Sequence, residues 1–327
     1  MKNIINDRVR VMIFGREYEM DPGGLTALEV QGLAEFVDEK MREIADKFAV
    51  VDTQKIAVLA AITIFLVLNA QQAISVVGLV RMLMGKLWYP TSTPPLFGFL
   101  PYILASLRAT FVALIVAVPL GVAASVYISE FAGRRVKEVA KTIIEFMAAI
   151  PSVVYGLLAV TVAGPLVKQV FSLTSGLTIL TAGLILGVMA IPTIVSISED
   201  ALHAVPNDLR QGSLALGNTR WQTVYKVIVP SASSGIFAAV MLGLGRAIGE
   251  TMVVLMAAGN TMTLTWSLIS SGRPMTAVMA GEMGETVQGG LHYSALFVVG
   301  LTLFIITLAI NLAADTVLER QRARWRR

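Results

Sequence analysis

Six apolar runs, near residues 56–79, 102–129, 143–167, 177–198, 234–258 and 292–314, constrain this chain more than any other feature. Each is close to the ~20 residues that a helix needs to cross the hydrocarbon core of a bilayer. Composition agrees, with 55% hydrophobic residues and a mean hydropathy of +0.72. The expectation is an all-α polytopic membrane protein with six transmembrane helices, occupying residues 53–327. The first run is the weakest, since Asn69, Gln71 and Gln72 interrupt it.

The formal charge of +4 is explained by topology rather than by nucleic acid. Five arginines crowd the last eight residues, and other basic residues flank the apolar runs. With the N-terminus in the cytoplasm, Arg134, Arg135, Lys137 and Lys141, then Arg210, Arg220 and Lys226, then the C-terminal arginines all fall inside. Only Arg81, Lys86, Lys168 and Arg273 fall outside, as the positive-inside rule requires. Both termini are therefore expected in the cytoplasm. The chain has no cysteine, which removes disulfides and thiolate metal sites, and its two histidines, His203 and His292, lie far apart. No G-x-x-x-x-G-K-[ST] phosphate loop occurs, so any ATP and its Mg²⁺ are bound by a partner chain.

Between the fourth and fifth runs lies a polar island, 206–230, PNDLRQGSLALGNTRWQTVYKVIVP. Pro206 suits a first helical position, because its missing N–H would have had no partner there. Gly217 can take the left-handed conformation that ends a helix, and Thr219 with Gln222 reads as a capping box for the next. Pro230 closes the second helix. A short helix pair anchored at both ends is either a docking surface or an ordinary connecting loop. Gln211-Gly212-Ser213, Gly217 and Val227-x-Val229-Pro230 resemble the EAA pattern of type I ABC-importer permeases, with Gln211 where Glu is usual and Gly212 where Ala is usual. The resemblance implies that this loop sits in a groove of the ATP-hydrolysing subunit and couples its motion to the membrane helices.

Inside the membrane, the sharpest signal is Gly243-Leu-Gly245-Arg246-Ala-Ile-Gly249-Glu250. A charge near the middle of a span is costly and usually kept for a reason. Glu250 lies four residues beyond Arg246, so on an unbroken helix the two share a face and can pair. The guanidinium fork suits a tetrahedral oxyanion, with the carboxylate as exchange partner; the other reading is a permanent structural pair. Gly243, Gly245 and Gly249 read as close helix contacts. Pro151 in the third run and Pro192 in the fourth read as helix bends, either lining a pathway or purely structural. Arg108 is a second anion contact or snorkels to the outer interface. The external segment 80–101 should lie along the membrane with Trp88 and Tyr89 in the interfacial belt, and the external loop 259–291 should cover the outer mouth.

Residues 1–52 differ in kind. Val9, Val11 and Ile13 alternate with Arg8, Arg10 and Met12, and a turn at Gly15-Arg16-Glu17 leads into Tyr18 and Met20, a β-hairpin pattern. After Asp21-Pro22-Gly23-Gly24, the positions Leu33, Phe36, Val37, Met41, Ile44 and Phe48 recur at helical spacing. This is a small α+β cytoplasmic head in which acidic residues outnumber basic ones. VRVMIFGREYEM with EFVDEKMREIADK and VDTQKIAVLAA resembles the cell-division protein ZapA, which implies FtsZ as a partner through residues 1–52 alone. The family's coiled coil is replaced here by membrane-like sequence.

From about residue 75 to 320, FGFLPYILASL, YISEFAGRRVK, EFMAAIPSVVYGL, LTAGLILGVMAIPTIVSISEDAL, LGLGRAIGETMVVLMAAGN and GGLHYSALFVVGLTLFIITLAINL are similar, in order, to the phosphate-transport permease PstC. The resemblance implies a multi-pass inner-membrane subunit, not itself an enzyme, giving inorganic phosphate an alternating-access path. It also implies a PstB-like ATPase dimer, a PstA-like second permease and a PstS-like phosphate-binding protein as partners, with membrane lipid around them. A permease for sulfate or molybdate, or a membrane-anchored division factor, are the rival readings.

Overall fold

The computed structural model describes residues 8–13, 16–20, 26–48 and 53–325. The chain divides into two compact units, 1–72 and 73–327, the division falling inside the helix Thr53–Val77. In the first unit, β1 (Val9–Ile13) and β2 (Arg16–Met20) pair antiparallel with Val11 opposite Tyr18, the expected hairpin. The turn expected at Gly15-Arg16-Glu17 is tighter than that, since Arg16 and Glu17 already belong to β2 opposite Ile13 and Met12, while Gly15 and 21–24 lie outside the described residues. Helix α1 (Ala27–Phe48) opens with Thr26, whose backbone N–H donates to Glu29 at 2.8 Å while the Glu29 N–H donates to the Thr26 hydroxyl at 3.3 Å. These bonds satisfy two orphan amides of the first turn and hold the Glu29 carboxyl below its ordinary pKa.

The buried stripe of α1 agrees with the expected one at Met41, with Val37 partly buried, and differs from it over the first turns. Val30, Ala34 and Met41 are buried, and Val30 and Ala34 pack on Val11, whereas Leu33 and Phe36 face outward. Spacing alone placed Leu33 and Phe36 inside because large apolar residues outweighed the small Ala34 in the pattern. Ile44 and Phe48 have side chains outside the described set.

Among the described residues, five helices are long and apolar enough to cross a membrane: Ala57–Val77, Leu100–Phe131, Ser152–Val170, Ile179–His203 and Leu291–Ala314. The pair Arg220–Ser231 and Ser233–Gly249, bent by 68°, makes a sixth span in the fifth position. They are called the first to sixth spans in chain order. Two differences from the sequence reading stand out. The third span begins at Ser152 rather than near 143, and Pro151 is a full break rather than a bend. Ile150 is forced into extended backbone (ψ 126°) before the proline, and residues Arg134–Ala149 form a separate amphipathic helix with no buried residue. The fourth span, in contrast, runs unbroken through a buried Pro192.

The fourth span is the most buried of the five single-helix spans and packs closely on the second. Gly183 and Gly187 allow this approach: a Cβ at Gly183 would meet Val112 Cβ at 2.5 Å, and one at Gly187 would meet Ala113 O at 2.9 Å. Gly121 and Gly243 likewise make room for Ile194, so the second, fourth and fifth spans share a contact at that residue. Small residues substitute close packing for a hydrophobic drive that is absent between helices in lipid. Gly245 and Gly249, expected to do the same, have no neighbour there within 4 Å.

The end of the bundle opposite the 206–230 island is closed by segments that fold inward. The expected loop 259–291 contains the helix Met275–Glu282, with Met275, Ala277 and Val278 buried. It also caps the fourth span: Thr178 accepts from Thr181 N at 3.2 Å, and the amides of Ile179 and Leu180 donate to Ser270 O (3.0 Å) and Leu268 O (2.8 Å). Arg108 is 4% exposed and donates to Ser267 O at 2.7 Å. It thus anchors this loop and does not snorkel to an interface.

Trp88 is also not a belt residue. It is 4% exposed, edge-on to Phe97, Phe99, Tyr102 and His292, and its Nε1 donates to Glu282 Oε2 at 2.9 Å. The same carboxylate pairs with Arg273 Nη1 at 2.5 Å and lies 2.8 Å from His292 Nε2. Tyr89 is exposed, as expected.

The glycine contacts yield a contrast that a detergent melting series checks. Gly183→Ala is expected to destabilise by about 1–3 kcal/mol through overpacking. Gly245→Ala, the same chemical change in open space, is expected to be neutral or stabilising by up to ~1 kcal/mol.

Candidate functional site

Two places carry the chemistry singled out in the sequence: the Arg246 region within the bundle, and the island at one end. Arg246 stands in the last turn of the helix Ser233–Gly249 and is partly buried. Its Nη1 donates to Thr193 Oγ1 at 3.1 Å. Thr193 is the fifteenth residue of the fourth span, Ile179–His203, which places the guanidinium about 21 Å along that helix from its start at 1.5 Å per residue. That is well inside a 25-residue span, away from both of its ends. Thr193 follows Pro192, which has no N–H to give and leaves a carbonyl one turn earlier without its helical donor.

Glu250 is not the partner of Arg246. The helix ends at Gly249, and Glu250 has extended backbone (φ −70°, ψ 134°), so the i, i+4 rule no longer applies. Its Oε1 accepts from Met252 N at 3.0 Å and lies 3.5 Å from Val253 N, at the start of the short helix Met252–Ala257. Its carbonyl accepts from Thr276 Oγ1 at 2.8 Å. The acid therefore satisfies amides at a break, and Arg246 is left with a neutral hydroxyl and no carboxylate within ion-pair distance among the described residues. A guanidinium at this depth that meets only a hydroxyl keeps most of its five donors available for an anion.

The island is built as its local signals predict. Its first helix is Asn207–Ala215, with Pro206 one residue outside it rather than at its first position. Gly217 has φ +84°, the left-handed region, and Thr219 with Gln222 forms the full capping box. Gln211 and Gly212 are exposed, while Ser213 turns inward, its hydroxyl 2.9 Å from that of Thr223 and accepting from Asn218 Nδ2 at 3.1 Å. Val227, Val229 and Pro230 are partly buried where the second helix runs into the 68° bend. Leu209 and Leu214 on the first helix and Leu216 just beyond it stay exposed, Leu216 at 86%.

Sequence reasoning missed the residues that tie the island to the bundle. Arg210 Nη2 pairs with Glu130 Oε1 at 3.0 Å and donates to Leu202 O at 2.8 Å, and Arg220 Nη2 donates to Glu130 O. Glu130 ends the second span and Leu202 the fourth, so one arginine clamps the island to both. At the same end, buried Glu199 pairs with Lys137 and Lys141, each at 3.1 Å, and with His203 at 3.3 Å. A lone carboxylate near the end of an apolar run was the available signal, since such a charge needs a partner.

If Glu250 acts as a cap and Arg246 stands apart from it, a double-mutant cycle with Arg246→Ala and Glu250→Ala should show stabilities additive within about 0.5 kcal/mol. A coupling above ~1 kcal/mol, measured by thermal unfolding in detergent, would restore the ion pair.

Comparison with known proteins places these features in a family. Residues 117–327 match the family described as binding-protein-dependent transport system inner membrane component, and residues 9–73 match cell division protein ZapA. A probable ABC transporter permease protein of Bacillus subtilis, YqgH, is 38% identical over 82% of this chain and 87% of its own. The phosphate transport system permease protein PstC of Haemophilus influenzae is 34% identical over 80% of this chain and 88% of its own. Among solved structures, an inward-facing MetNI methionine ABC transporter aligns with a TM-score of 0.51 at 20% identity over 68% of this chain and 94% of its own. A bacterial alginate ABC transporter aligns with a TM-score of 0.54 at 14% identity over 85% of this chain and 96% of its own, which speaks to the fold alone. The chain therefore belongs to the inner-membrane components of binding-protein-dependent transport systems, as a multi-pass permease subunit of the ABC-importer kind with a ZapA-like segment at its N-terminus.

Proposed function

We propose that this permease carries inorganic phosphate inward, with Arg246 as the anion contact on the path. The observation that carries the reading is the guanidinium held at mid-depth with a neutral hydroxyl as partner. A tetrahedral oxyanion accepts from several N–H groups at once and supplies the charge that this position otherwise lacks. The kinship to permeases named for phosphate, at about one-third identity, supports the choice of cargo. In this reading the 206–230 island faces the cytoplasm, as do both termini, and a PstB-like ATPase dimer that binds ATP and Mg²⁺ docks on it. A PstA-like permease completes the membrane pair and a PstS-like protein delivers phosphate from outside.

The island's exposed face fits that docking. Leu209, Gly212 and Leu216 follow one another at i, i+3 and i+7, one apolar side that the bundle leaves uncovered. Arg210 passes movement of the island to the ends of the second and fourth spans through Glu130 and Leu202. The fourth span in turn holds Thr193 against Arg246. A displacement at the docking surface thus has a continuous hydrogen-bonded route to the anion contact.

Arg246→Ala should lower phosphate uptake by roughly 10- to 100-fold, the loss of charged hydrogen bonds worth about 1.5–3 kcal/mol, while membrane insertion is retained. Radiolabelled phosphate uptake into cells measures this, and normal uptake removes Arg246 from the path. Competition with sulfate and molybdate in the same assay tests the cargo: inhibition by either at equal concentration to phosphate assigns the permease to oxyanions more broadly. Gly217→Val forces a β-branched residue into left-handed backbone at a cost of about 1–2 kcal/mol, and should leave an ATPase that no longer responds to the loaded binding protein. Stimulation unchanged in reconstituted vesicles would remove the island from coupling.

A further inference from the structure

We infer that the cleft between the second span and the second island helix is a binding site for an anionic phospholipid. The cleft has a volume of about 550 Å³, within the roughly 300–1,000 Å³ range of small-molecule sites. Its walls include Val118, Val122 and Val126 from the second span, Phe131 at that span's end, and Trp221 and Tyr225 from the island, and they are almost wholly apolar. Such a lining offers nothing to a soluble metabolite but suits an acyl chain.

Three observations commit the site to lipid with a negative headgroup. First, two cations stand at its aromatic rim: Arg220 lies 5.5 Å from the Phe131 ring centroid and Lys226 lies 5.6 Å from that of Tyr225. Neither has a carboxylate partner among the described residues. The nearby acid, Glu130, is already claimed by Arg210. Their charge is therefore uncompensated at the mouth of an apolar groove, the arrangement by which basic pockets between membrane helices hold acidic headgroups.

Second, the groove sits at the level where apolar spans give way to the polar island, and its mouth carries Trp221 and Tyr225, 60% and 47% exposed. Amphipathic rings of this kind settle at the headgroup level of a bilayer. Third, the groove continues the outward face of the second span. Phe111 and Ile115 are exposed, and Val118, Val122 and Val126 follow them at spacings of three and four residues, on one side of the helix. A chain lying along Phe111 and Ile115 runs into the cleft without turning. The lipid so held bridges the second span and the island, the two parts that Arg210 also joins.

Brominated lipids test this with the full chain in vesicles. The fluorescence that is lost in Trp221→Phe reports the cleft, and its quenching is followed as dibrominated phosphatidylglycerol or dibrominated phosphatidylcholine is mixed into an unbrominated phosphatidylcholine background. The phosphatidylglycerol probe is expected to bind about 25-fold more tightly, the effect of two cations at about fivefold each, with Lys226→Gln or Arg220→Gln lowering the preference to about fivefold and the double variant bringing the two probes together. Equal quenching by both lipids in the unmodified chain would overturn the headgroup assignment. Absence of quenching by either, as when another protein chain covers the groove, would overturn the site.

Discussion

In an apolar medium a helix can stop only where something other than water takes up its backbone groups, and this requirement decides where the bundle breaks. At Glu250 the side chain accepts the amide of Met252, and Thr276 donates to its carbonyl. At Pro151 the residue that follows the break by one turn, Tyr155, sends its hydroxyl back to Met147 O at 2.9 Å, in the last turn of the preceding helix. At the start of the fourth span the 259–274 segment supplies carbonyls to two amides and Thr178 supplies its hydroxyl to a third. The first and third of these interruptions are thus made by a distant segment as much as by the residues at the break, whereas the one at Pro151 is closed locally.

This explains which parts of the fold were legible in the sequence. The island was readable almost residue by residue, because Gly217, Thr219 and Gln222 act over three or four positions and report their own geometry. The number and order of the spans were readable because length and apolarity are properties of the run itself. The Arg246–Glu250 pair was misread because its spacing implied a helix that continues, and what holds the break after Gly249 is the Glu250 carboxylate capping the next helix together with Thr276, twenty-six residues from Glu250. Trp88 was misplaced for the same reason: its partners Glu282 and His292 are remote in the chain, and only folding brings them together. Pro151 and Pro192 show that one residue type has two outcomes. Ile150 is pushed into extended backbone and the helix breaks, whereas the fourth span continues unbroken through the buried Pro192.

The candidate site divides along the same line. That a mid-membrane arginine matters could be argued from cost alone, but its neighbour Thr193 belongs to another span and gives no sign in the sequence. Glu130 and Arg210, eighty residues apart, carry the link between island and bundle. Charges near the ends of apolar runs were read as topology signals, and the structure gives several of them a second use as fasteners between helices.

The carboxylate of Glu282 gathers Trp88, Arg273 and His292, which enter the chain early, late and last. Because a polypeptide is made from its N-terminus onward, the indole of Trp88 is inserted nearly two hundred residues before the acid that will accept its hydrogen bond. That end of the bundle can therefore lock only once His292 has been made. The closure is a mark of completeness: a chain stopped short of His292 could present most of its helices to the bilayer and still lack the fastening that holds them in register.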